Sequence, residues 1–127
     1  MTNRKTWARD ALISLLLAAG YMLIFAYNNT PLGAAIGSDN AMYLTMGTAL
    51  ARGSAPYTEI FDHKGPLLFL LQMLPQAVSG GYSLTAVFIQ ETLVLFACLM
   101  MMRAIAKELD VCPWAAQLVY MAMTCAF

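Results

Sequence analysis

The run ALISLLLAAGYMLIFAY, from Ala11 to Tyr27, carries no charge. Its length is at the lower edge of what a bilayer-spanning helix needs. Arg4, Lys5 and Arg9 precede it, and the positive-inside rule then assigns the N-terminus to the cytoplasm. Trp7 and Tyr27 flank it where interfacial aromatics belong. A basic start before an apolar core also fits a cleaved signal peptide. The core is longer than an ordinary signal core and no clean A-x-A site follows it, which favours an uncleaved anchor.

Composition agrees with that first run. Of the 127 residues, 61% are hydrophobic and only 11% charged, and the mean hydropathy is +0.65. A soluble domain this small buries roughly two thirds of its surface and could not hide so much apolar material. A formal net charge of zero argues against a nucleic-acid partner. Cys98, Cys112 and Cys125 form no CxxC pair, so neither a disulfide framework nor a zinc site is supported. They read as small buried hydrophobes, and the ten methionines as flexible packing.

A polar stretch from Asn28 to Gly65 follows the first run. Within it, SDNAMYLTMGTALARG reads as a short amphipathic helix lying along the membrane surface. Ser38 or Asp39 is its expected N-cap and Gly53 its stop. Met42, Met46, Ala49 and Leu50 should form its apolar face, with Thr45, Thr48 and Arg52 elsewhere. Asn28 opens an NNT sequon, relevant only in a eukaryotic secretory pathway.

Gly65-Pro66 opens a second short apolar run, in which Pro66 suits the first helical position and Pro75 should bend or end the helix. SLTAVFIQETLVLFACLMMM, Ser83 to Met102, is long enough to cross. If the run after Pro66 also crossed, Arg103 and Lys107 would land outside, against the positive-inside rule. A juxtamembrane 66–78 segment returns them to the cytoplasm. The expected fold is therefore all-α and polytopic. It has about three transmembrane helices (11–27, 83–102 and 113–127) and two juxtamembrane helices in a first outer loop, 28–82. The last run is short for a crossing, and we expect the chain to be the N-terminal part of a larger membrane protein.

The segment GSDNAMYLTMGTALARGSAPYTEIFDHKGPLLFLL, Gly37 to Leu71, resembles the first outer loop of GT-C class membrane glycosyltransferases. These include the protein O-mannosyltransferases and the bacterial lipid A aminoarabinose transferases. In that pattern an Asp follows the first membrane helix. A surface helix, a Tyr-containing turn and a Lys-Pro or Lys-Gly-Pro step into a second surface helix come after it. The resemblance implies a polyprenyl-phosphate sugar as donor and an active site at the outer face of the cell membrane. It puts Asp39 in the catalytic position. The acceptor, whether glycan, lipid or protein, is left open. Asn40 stands where many relatives carry a second acid, so a divalent metal is unsupported.

The chemistry can also be argued from the residues. Transfer of a sugar from a polyprenyl phosphate to a hydroxyl needs a base for the acceptor and a cation for the leaving phosphate. A phosphate departs readily as an anion, which makes a strong general acid less necessary than in glycoside hydrolysis. Asp39 is the candidate base, with a plain helix cap as the alternative. Lys64 stands just before a helix start, where free N–H groups attract anions, and Gly65 presents no side chain to block a phosphate. His63 can add a donor, though for His63 taken alone a structural hydrogen bond is the better reading. The alternative for Lys64 is a lysine snorkelling to the interface.

Glu91, with Gln90 beside it, stands in the middle of an apolar run, where an acid costs on the order of 3 kcal/mol unless paired or protonated. A structural hydrogen bond to another helix explains it better than chemistry, because the expected reaction lies outside the membrane. Two other functions fit the composition. One is a small non-enzymatic subunit whose loop binds lipid phosphate or a partner protein. The other is part of a transporter, with Glu91 as a coupling residue.

Overall fold

The computed structural model describes residues 4–26, 38–55 and 65–125, together with Leu32 and Thr58. These are all-helical, with five helices and no strand among the described residues: α1 Arg4–Phe25, α2 Ser38–Ala51, α3 Pro66–Ser79, α4 Leu84–Glu108 and α5 Pro113–Cys125. Two of them are long and apolar enough to cross a membrane, Thr6–Phe25 within α1 and Leu84–Glu108. The third expected crossing is not reached by α5. Its 13 residues rise about 20 Å, short of a hydrocarbon core of roughly 30 Å. The long helices also begin or end beyond their apolar runs, α1 starting at Arg4 and α4 continuing through Arg103 to Glu108. Arg and Lys are good helix formers, so charge sets where lipid ends and not where the helix ends.

The chain divides into two compact units, residues 1–26 with 91–127 and residues 27–90. In the first unit, the packing directions follow from hydrogen bonds at three levels. Asp10, near the start of α1, receives Arg103 Nη2 from near the end of α4 at 2.6 Å. One turn further along α1 and one turn back along α4, Gln117 Nε2 donates both to Ser14 Oγ and to the Leu99 carbonyl, each at 2.9 Å. At the other end of α1, Tyr21 and Thr124 share a hydroxyl hydrogen bond of 2.9 Å. So α1 and α4 run antiparallel, and α1 and α5 run parallel.

This unit buries several polar groups beside a few apolar ones and leaves many of its large apolar side chains exposed. Ser14, Leu99 and Gln117 are fully buried, and Arg103 is 5% exposed. Leu12, Leu16, Ile24, Leu93, Met101 and Val119 are all exposed. Only 17% of each candidate span is buried, whereas the core helix of a soluble protein would be mostly covered. Arg103 is further held by Gln117 Oε1 at 3.4 Å and by the Trp114 ring, 4.1 Å from its guanidinium carbon. A buried guanidinium with three such partners is tolerable. Without its carboxylate it would not be.

In the second unit α2 lies against α3, and Gly47 makes the approach possible. A Cβ there would sit 2.6 Å from the Gln72 carbonyl oxygen. The buried side of α2 differs from the expected apolar face. Met46 is buried, but Met42, Ala49 and Leu50 are only half-covered, while Leu44, Gly47 and Thr48 go in. Thr48 can be buried because its hydroxyl donates to the Leu44 carbonyl at 2.8 Å. Ser38 and Asp39 both fall in the first turn of the helix, and Gly53 closes it at φ +93° as expected.

Pro75 neither ends α3 nor stops it short. The helix continues to Ser79 and closes on Gly80 in the left-handed region, with Gly81 N–H donating to the Gln76 carbonyl at 2.9 Å. A proline inside a helix leaves the carbonyl four residues earlier without its N–H. Here that carbonyl is Leu71 O, and Gln90 Nε2 donates to it at 3.0 Å. The turn into α4 is fixed by Gln76 Oε1, which accepts Ser83 N–H at 2.8 Å, and by the Ser83 hydroxyl, which caps Ala86 N–H at 3.2 Å.

Candidate functional site

The residues expected to carry the chemistry lie at the starts of α2 and α3, both in the second unit. Asp39 is the second residue of α2, and only its backbone is described. An anion in the first turn of a helix is electrostatically favourable, which suits a carboxylate there in either a capping or a chemical role. His63 and Lys64 lie outside the described residues, as do Tyr57, Glu59 and Asp62.

Gly65 is described and is the N-cap of α3, at φ −68° and ψ 152°, with no side chain capping the helix. That conformation is open to any residue, so the backbone alone does not demand glycine. Open space surrounds the position where a Cβ would stand. Of the first N–H groups of α3, Pro66 has none and Leu68 N–H is taken by the Gly65 carbonyl at 3.2 Å. Leu67 N–H is the remaining early donor of the helix. The anion-attracting end is thus narrower than a typical helix start, and a cation beside it would have to supply most of the attraction.

The two polar candidates of the apolar α4 run separate. Gln90 repairs the α3 backbone at Leu71, which is a structural task carried out within this chain. Glu91 is half-buried in α4 and interacts with a neighbouring group. Cys112, expected as a buried hydrophobe, is exposed in the turn between α4 and α5, whereas Cys98 is half-buried. Both are free thiols.

Reading the sequence overlooked Asp10, Ser14 and Gln117, which build the polar interior of the first unit. A usable signal was present. Asp10, Ser14 and Ala18 recur at four-residue spacing through an otherwise apolar run, the pattern of a helix face meeting other helices. Ser14 and Ala18 are indeed fully buried. No family model, curated protein or solved structure matches the chain.

Proposed function

We propose that the chain supplies the first outer loop and flanking membrane helices of a glycosyltransferase. The enzyme moves a sugar from a polyprenyl-phosphate donor to an acceptor at the outer face of the cell membrane, with inversion at the anomeric carbon. The observation that carries this reading is the Gly37–Leu71 segment with its resemblance to GT-C enzymes. Asp39 acts as the base that takes the acceptor proton, and Lys64 holds the donor phosphate as it leaves. Gly65 leaves the approach to the α3 backbone open, and His63 adds a donor.

In this reading α1 and α4 cross the bilayer as an uncleaved pair, with the N-terminus in the cytoplasm. Their antiparallel packing supports it. If α1 leaves the cytoplasm and α4 returns, the segment between them crosses an even number of times, so the single helix α3 stays at the outer surface. The exposed leucines of α3, Leu67, Leu70, Leu71 and Leu74, suit a helix lying in the lipid interface. The polar stripe of α1 is bonded to α4 and α5 through Arg103 and Gln117, which favours a retained anchor over a cleaved leader. Because α5 runs parallel to α1, its direction is that of a third crossing.

The test separates base from phosphate holder by measuring donor affinity and transfer rate in nanodiscs. Asp39→Asn keeps the shape and capping ability but cannot accept the proton, so turnover should fall by about 10² or more with donor affinity retained. Lys64→Ala should weaken donor binding, and Lys64→Arg should restore it only in part. Full transfer by Asp39→Asn removes the catalytic assignment, and unchanged donor affinity in Lys64→Ala removes the phosphate site.

A further inference from the structure

The end of α2 carries an unused guanidinium. Arg52 is exposed immediately after Ala51, and among the described residues no acid or hydrogen-bond acceptor meets its side chain. It lines a cleft of about 340 Å³ with Thr45, Thr48, Ala49, Ser54 and Tyr82, all in the second unit. That volume lies in the range of small-molecule sites.

The negative end of the α2 dipole ought to repel an anion here. Three of its last four carbonyls, however, are already occupied. Arg52 N–H bonds Thr48 O at 3.2 Å and Ala49 O at 3.1 Å, Gly53 N–H bonds Leu50 O at 2.9 Å, and Ser54 N–H bonds Ala49 O at 3.0 Å. The full charge of Arg52 therefore outweighs the partial charge behind it. The hydroxyl protons of Thr45 and Thr48 are spent on Ala41 O and Leu44 O, both at 2.8 Å. Their oxygens remain as acceptors, while Ser54 and Tyr82 retain hydroxyls free to donate. One cation, two acceptors and two donors line a single concavity.

A second cleft shows what an unsuitable lining looks like. It measures about 200 Å³ and includes Asp10, Arg103, Lys107 and Glu108, two acids against two bases. Its Arg103 is committed to Asp10. Of these two clefts, the Arg52 cleft combines an unspent cation with hydroxyls and, among the described residues, no acid in its lining.

We propose that this cleft binds a phosphorylated polyol, with the phosphate on the Arg52 guanidinium and the ligand's hydroxyls on Thr45, Ser54 and Tyr82. The planar guanidinium presents a fork that matches two phosphate oxygens, and side-chain hydroxyls match vicinal diols. Two sources share this chemistry: the headgroup of an anionic lipid such as phosphatidylglycerol, and a soluble glycerol or sugar phosphate. The proposal uses neither Asp39 nor Lys64 and stands independently of the transferase reading.

The experiment uses the full chain carrying Lys64→Ala, so that a phosphate at Lys64 contributes nothing. Glycerol 3-phosphate is titrated calorimetrically in detergent, with inorganic phosphate as the hydroxyl-free control. Retention of phosphatidylglycerol over phosphatidylcholine is measured by native mass spectrometry. Saturable glycerol 3-phosphate binding, tighter than that of phosphate, is expected, with a loss of about tenfold in Arg52→Gln and a smaller loss in Tyr82→Phe. Phosphatidylglycerol retention that disappears in Arg52→Gln identifies the lipid as the source, and binding of the soluble ligand without lipid preference identifies the soluble one. Arg52 is exposed, so Arg52→Gln should keep the parent's unfolding midpoint. Equal binding by Arg52→Gln and the parent, or binding of neither ligand by the parent, overturns the proposal.

Discussion

The two units bury polar groups in opposite ways. In the α1–α4–α5 unit four side chains satisfy one another, since Asp10, Arg103, Gln117 and Ser14 form one continuous chain of bonds. In the α2–α3 unit the polar side chains serve the backbone. Gln90 takes the carbonyl that Pro75 frees, and Gln76 Oε1 holds the turn before α4. The first arrangement concentrates energy in a few side chains, each of which leaves a buried charge or dipole behind when removed. The second spreads it over close helix contact and small backbone repairs. Sensitivity to substitution should differ accordingly.

The largest effect should come from separating the buried charges of the first unit. Arg103→Met leaves Asp10 without its main partner and should cost about 3–5 kcal/mol of stability, read from unfolding in detergent. The pair Asp10→Leu with Arg103→Met should recover most of that loss, because an apolar replacement of both groups leaves no buried charge unpaired. A single variant as stable as the parent would show that the network carries little energy.

An intermediate effect should follow from thickening the helix contact of the second unit. In Gly47→Ala the new methyl meets the Gln72 carbonyl, a backbone group that cannot rotate away. The helices must separate, at a cost of about 1–3 kcal/mol. An unfolding midpoint equal to the parent's would mean that α2 and α3 pack less closely than described.

The smallest effect concerns Gln90 and Pro75. Gln90→Leu should cost about 1 kcal/mol by leaving Leu71 O unbonded. In a Pro75→Ala background residue 75 regains its N–H, and the same substitution should then cost much less. A double-mutant cycle reads the difference, and equal costs in both backgrounds would show that Gln90 does not serve that carbonyl.

Much of the helical layout could be read from the residues. The apolar runs located α1, α3 and α4, Pro66 marked the start of α3, and Gly53 marked the end of α2. What escaped notice depends on partners distant in sequence. Pro75 does not end its helix, and Gln90, which takes the carbonyl it frees, is too far along the chain to announce itself. Asp10 and Arg103 were hidden for the same reason, since each reads as an ordinary charge at the edge of an apolar run until the two helices are packed. At the candidate site, the pattern from Asp39 to Gly65 was legible as a motif. Residues 39–55, Thr58 and the extended cap at Gly65 lie among the described residues, and His63 and Lys64 do not.

The central claim is that the chemistry sits in an outer loop between two antiparallel membrane helices whose shared end is cytoplasmic. Thiol labelling in intact cells tests this, with native Cys112 as the reporter beyond α4 and Ser79→Cys as the reporter at the end of α3, in a Cys98→Ala, Cys125→Ala background. Both Ser79 and Cys112 are exposed. An impermeant maleimide should label position 79 directly and reach Cys112 only after the membrane is opened. Labelling of Cys112 in intact cells with position 79 protected would contradict the claim and make α3 a true crossing.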